Sequence, residues 1–163
     1  MTEEKDIAKL KKKYEEFSKK YSLPSFSELN SNFGIEELEE HADTEYFGRR
    51  LRICMVERMV GLLRVLESIM NPSNSPIFIH VIAKNLDVGS KEIVEELYKE
   101  GCGIEIKSIT ESLLEYSEKS EAEFIKEIIS KWNGMKQNIN KLNDFILDAW
   151  KKDSLGTGKD YLG

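Results

Sequence analysis

All five arginines of the chain, Arg49, Arg50, Arg52, Arg58 and Arg64, fall in one stretch, residues 47–70, whereas the lysines are spread over the rest. A guanidinium carries five N–H donors in a planar fork, which suits it to carboxylates and phosphates. Two chemistries are open to such a cluster. One is a preformed anion site, with Arg49, Arg50 and Arg64 as the candidates for binding phosphate or nucleic acid. The other is structural pairing. Arg52 and Arg58 fall on the apolar arc of a helical wheel, where a guanidinium is costly unless it is paired and hydrogen-bonded or reaches water at the bundle edge. Glu45 stands one and two turns before Arg49 and Arg52 and can serve both. Residues 28–45 hold seven acids and no Lys or Arg, so this acidic run is expected to pack against the arginine stretch and pair with it.

Other reactive side chains are sparse. Glu36, Glu37, Glu40, His41 and Asp43 offer oxygen ligands, and Glu37 and His41 are one helical turn apart. No second His is near, and the Glu-x-x-His pairs of di-iron bundles are missing, so a solvated acidic face is the better reading. His80 lies in an apolar segment and reads as a core histidine. Cys54 sits on an apolar face as a small hydrophobe, and Cys102 is flanked by glycines; neither has a local His to form a nucleophile–base pair. Gly156-Thr-Gly-Lys159 lacks the first Gly, the following Ser/Thr and the preceding strand of a phosphate loop. No catalytic residue, metal site or cofactor is therefore expected.

The elements that position these side chains read as helices. Leu51, Met55, Met59, Leu62, Leu63, Leu66 and Ile69 cover most of the girth of a helix over 44–70, which makes it the core of a bundle. Asp43 or Thr44 is its expected N-cap, and Gly61 is expected at a close helix crossing. Ile7, Leu10, Tyr14, Phe17 and Tyr21 form one stripe of a first amphipathic helix ending before Pro24. Ser25-x-x-Glu28 is a capping box opening a short helix that Gly34 closes, and Ile35–His41 is a second short helical turn. Ser75-Pro76 is an N-cap and N1 pair for a helix over 76–86, and Ser90 is the expected cap of the next helix. Gly101-Cys-Gly103 is expected to weaken or break that helix. Ser120-x-x-Glu123 predicts the start of a last long helix over 121–152, bent at Gly134.

Residues 79–97 resemble a helix-turn-helix unit: Ala83 takes the small position, Leu86 and Val88 flank the turn, and Ile93 and Leu97 anchor the second helix. Asp87 stands where that family has Gly. The would-be recognition face carries Lys91, Glu92, Glu95, Glu96, Lys99 and Glu100, an acidic excess that phosphates repel. Pro24-Ser-Phe, Leu51-Arg-Ile, Leu66-Glu-Ser-Ile-Met-Asn-Pro72 and Phe124-Ile…Lys131-Trp132 are similar to a small group of uncharacterised archaeal helical proteins. That resemblance implies a helical, cytoplasmic protein and no particular activity.

The chain has 163 residues, a third of them charged, with a formal net charge of −6. This fits one domain over 1–152 with a flexible tail over 153–163, and weighs against general binding to nucleic acid or anionic membrane. Five Arg in the most apolar stretch exclude a membrane span there. The opening residues lack the layout of a signal peptide and the cysteines are few, so a cytoplasmic setting is expected. The expected fold is all-α: a bundle of four to five longer helices around central helix 44–70, plus two short helices. The expected function is a non-enzymatic interaction or scaffold role, with another protein or a second copy as partner. The alternative is a nucleic-acid or ribonucleoprotein-associated factor using the arginine helix or the unit at 79–97.

Overall fold

The structure, a computed structural model, describes residues 2–154. In chain order they form α1 (Thr2–Tyr21), α2 (Phe26–Phe33), a 3-10 helix (Ile35–His41), α3 (Phe47–Met70), a 3-10 turn (Pro72–Asn74), α4 (Ile77–Asn85), α5 (Val88–Ser112) and α6 (Glu118–Ser154). The fold is an all-α helical bundle, and no strand occurs among the described residues. The expected tail begins inside α6, which runs to Ser154; the remainder of it lies outside the described residues.

Local chemistry sets the helix ends. The Ser25 hydroxyl accepts from Glu28 N at 3.2 Å, and Gly34, at φ 65°, returns its N–H to Asn30 O. α1 ends in a left-handed residue as well: Ser22 takes φ 54°, which lets Leu23 N reach back to Ser18 O at 3.1 Å. This is the pattern of a Schellman cap, with Ser in the place usually given to Gly.

Four boundaries differ from expectation, each for a visible reason. α3 starts at Phe47, because Tyr46 O accepts its first helical bond, from Arg50 N, and Thr44 Oγ1 accepts from Tyr46 N in the preceding turn. Pro76 itself takes the cap position of α4, with Ser75 bonded back into the 3-10 turn. Asp87, not Ser90, caps α5: its Oδ1 accepts from Ser90 N at 2.7 Å, and Ser90 is buried in the first turn. Ser117, not Ser120, caps α6, its Oγ accepting from Ser120 N at 3.3 Å, while Ser120 Oγ donates to Glu111.

The glycines also act otherwise than expected. α5 runs unbroken through Gly101 and Gly103. A Cβ on Gly101 would strike the Leu63 side chain, so this residue serves close packing of α5 on α3. Gly61, expected at a crossing, is exposed with open space around it.

The chain divides into two compact units, one of Met1–Val60 with Ile104–Lys131, the other of Gly61–Gly103 with Trp132–Gly163. In the first, Leu10, Tyr14 and Phe17 of α1 are buried with Leu51, Met55 and Met59 of α3 and Ile125 and Ile128 of α6. Phe17 meets Phe47 edge-on at 5.7 Å. The 3-10 helix packs on α1, burying Ile35 and Leu38 and turning its glutamates outward. Tyr14 Oη donates to Pro24 O at 2.7 Å, and burial pushes its pKa up to about 12. In the second unit Leu63, Leu66, Ile82, Val94, Leu97 and Leu142 are buried, and Asn85 Nδ2 donates to Ala149 O at 3.3 Å.

Candidate functional site

The arginines divide sharply. Arg52 is fully buried and every one of its five donors is used. Its Nε donates to Glu121 Oε2 at 2.5 Å, and Nη2 donates to Glu121 Oε1 at 3.4 Å and Ser112 Oγ at 3.0 Å. Nη1 donates to Ser108 O at 3.0 Å and to Ser108 Oγ. The guanidinium also lies 5.8 Å from the centre of the Phe124 ring. No N–H is left over for an external anion.

Arg49 shares the same carboxylate. Its Nε donates to Glu121 Oε1 at 2.9 Å, its Nη2 donates to Leu114 O at 3.0 Å, and it lies over the Tyr116 ring. Gly48 makes this convergence possible: a Cβ there would come within 3.2 Å of both Glu121 Cβ and the Phe17 ring. Arg49, one of the anion-binding candidates, thus holds Glu121 and Leu114 within the fold, with 22% of its side chain exposed.

The acid that does the pairing comes from α6, so the expectation for Glu45 and the acidic run is corrected. Glu45 is exposed in the turn before α3, and the 3-10 glutamates face outward on α1, where Lys9 pairs with Asp43. Carboxylates solvated on the outside gain little from pairing, whereas a buried guanidinium requires a buried acid. Arg58, expected either to pair or to reach water at the bundle edge, is exposed and forms no salt bridge among the described residues. Arg50 and Arg64 are exposed and likewise form none there.

Among the described residues no group of three or more His, Cys, Asp or Glu is placed to hold a metal. His80 is exposed on α4, not in the core. Burial, with Glu37 and Glu57 nearby, pushes the Cys54 thiol up to about 11, which leaves almost no thiolate at neutral pH. Neither cysteine is in a disulfide. No described helix is long and apolar enough to cross a membrane.

No family model, no curated protein and no solved structure matches this chain. Its own surface must therefore carry the functional argument.

Two surface features stand out, one in each unit. In the first, Ile106 and Ile109 at the end of α5 and Leu113 just past it recur at steps of three and four, the spacing of one helix face. They are 62%, 56% and 82% exposed, and Leu114 beside them is 61% exposed. In the second, a half-open groove of about 600 Å³ lies among the end of α3, α4 and α5. Ile69, Pro72 and Val94 line it, with His80 and Lys84 along the α4 side and Lys91 and Glu95 along the α5 side. In the segment that resembles a helix-turn-helix, α4 and α5 are joined at Leu86-Asp87, and Lys91, Glu92, Glu95, Glu96, Lys99 and Glu100 are all exposed.

Tyr14 and Phe17 are buried, and Trp132 is half-buried; only Trp150, with Leu147, is exposed on α6. The spacing of Ile106, Ile109 and Leu113 shows that they share a face, and not whether another element covers it.

Proposed function

We propose that this chain is a non-enzymatic interaction or scaffold protein that engages another protein through apolar side chains its own fold leaves open. The observation that carries this reading is the exposed stripe of Ile106 and Ile109 on α5 with Leu113 just past its end. Scattered exposed apolar residues need no explanation, but several aligned on one helix face are a usual mark of a protein contact. The bonds that Arg52 makes to Glu121, Ser108 and Ser112, and Arg49 to Glu121 and Leu114, turn these two guanidinium groups into the fold and away from an external ligand. A cytoplasmic setting suits the two free cysteines.

The test is photocross-linking in cells with a photoreactive residue in place of Ile109, compared with one in place of Lys12, which is exposed on α1. The expected result is a discrete protein adduct from position 109 only. Equal labelling from both positions, or none, contradicts the reading.

A second reading, association with nucleic acid, draws on Arg50 and Arg64, which are exposed and without salt bridges. Retention on heparin and total RNA at low and high salt, beside the Arg50→Ala/Arg64→Ala variant, decides it. Salt-sensitive retention lost in the variant moves this reading ahead.

A further inference from the structure

We infer that the groove of the second unit receives an amphipathic helix of a protein partner, one whose apolar stripe is bordered by carboxylates. This rests on the reading of the chain as a protein-binding module and names the chemistry of one partner.

The charges around the groove point to acid on the occupant. His80 and Lys84 of α4 stand with Lys91 and Glu95 of α5 around an apolar lining, so bases outnumber the acid in a chain of net charge −6. Among the described residues none of these three bases forms a salt bridge with the chain's own acids. They are therefore free to meet carboxylates at the edge of an apolar contact, where charge chooses the partner more than it adds affinity.

The apolar surface indicates the size of the occupant. It continues past the cavity to Ile77, one turn before His80 on α4, and to Val88, one turn before Lys91 on α5, which are 70% and 73% exposed. Phe78 and Met70 are about half exposed beside them. A small apolar acid would fill the cavity and leave Ile77, Phe78 and Val88 in water.

The walls decide the form. α4 and α5 satisfy their backbone groups internally and offer no strand edge. An extended peptide laid on them would have unpaired N–H and C=O groups against an apolar floor. A helix brings its own bonds and presents anchors at steps of three and four, the usual way in which an apolar groove between helices is filled.

The test uses the full chain and three labelled helical peptides of equal length: Leu on one face bordered by Glu, the same with Lys for Glu, and a scrambled order of the first. Binding is read by fluorescence anisotropy at low and high salt, with dodecanoate as competitor. The acidic peptide is expected to bind about tenfold more tightly than the basic one, a preference that salt reduces. In Lys84→Glu/Lys91→Glu, whose substituted side chains are exposed in the wild type, the preference should reverse. The inference is overturned by failure of the acidic peptide to bind, by affinity equal to the scrambled peptide, by indifference to the double substitution, or by displacement with dodecanoate at stoichiometric amounts. Cross-linking from position 109 reads the broader role independently. Adducts there without peptide binding overturn the groove alone, and loss of both overturns both.

Discussion

Arg52 of α3 and Glu121 of α6 meet with 0% and 1% of their side chains exposed, and Glu121 together with Ser108 and Ser112 of α5 occupies every donor of the guanidinium. Removing one partner of such a pair strands a buried charge, a loss of about 3–5 kcal/mol. Arg52→Ala and Glu121→Ala are each expected to lower unfolding free energy by that order in denaturant titrations. The joint Arg52→Met/Glu121→Leu variant should recover much of the loss, because no charge is left behind. Two single losses that simply add in a double alanine variant would show that the pair does not act as a unit.

This pair also marks how far the sequence could be read. Confinement of the arginines to one helix and the apolar position of Arg52 were both legible, and they announced a buried partner. Acids are plentiful just before α3, but Glu36, Glu37, Glu40, Asp43 and Glu45 are all exposed. Yet Glu121 shares the stripe of Phe124, Ile125 and Ile128, at steps of three, four and seven, and Ser108 and Ser112 continue the stripe of buried Ile104. A polar residue on an apolar stripe is the sequence signal of internal pairing. The misplaced start of α6 at Glu121 hid it, since a first-turn glutamate reads as a helix-end charge.

Helix existence was legible from apolar periodicity except at Gly101–Gly103, where a break is expected and α5 is continuous. The caps were less so, because Asp, Ser and Thr are frequent near helix ends and several compete for one position. The glycines were least legible: the space around Gly61 and Gly101 depends on what packs beside each.

That difference gives a direct contrast. Gly101→Ala drives a Cβ into Leu63 and is expected to cost about 1–3 kcal/mol. Gly61→Ala and Gly134→Ala point into open space within α-helix and are expected to stabilise by up to about 1 kcal/mol. Thermal unfolding of the three single variants checks the ordering, which an equal effect at Gly101 and Gly61 would contradict.

The Asp87 cap gives a pH signature. The bonds with Ser90 hold its carboxyl below the usual aspartate range. A depressed folded-state value means that the added stability is complete above the ordinary pKa and disappears as pH falls through the folded one. The melting temperature of wild type over Asp87→Ala should therefore be greatest near about pH 7 and narrow below about pH 4. A gap that stays constant through the acid range would show that the charge on Asp87 contributes nothing.

Thiol chemistry separates the two cysteines. Cys54 is buried with its pKa pushed up to about 11, whereas Cys102 is partly exposed. Ellman titration of the native protein should count one fast thiol, abolished in Cys102→Ser, with Cys54 appearing only in denaturant. Two equally fast thiols would contradict the burial of Cys54.

The most direct test of the central claim is quantitative co-isolation from cells of wild type beside Ile106→Ser/Ile109→Ser/Leu113→Ser. These side chains are more than half exposed, so each change should leave stability within about 0.5 kcal/mol, which thermal unfolding verifies. The account predicts a defined protein held by the wild type and lost from the triple variant, with Arg50→Ala/Arg64→Ala retaining it. The same protein recovered undiminished with the triple variant, or lost only from the arginine variant, would contradict it.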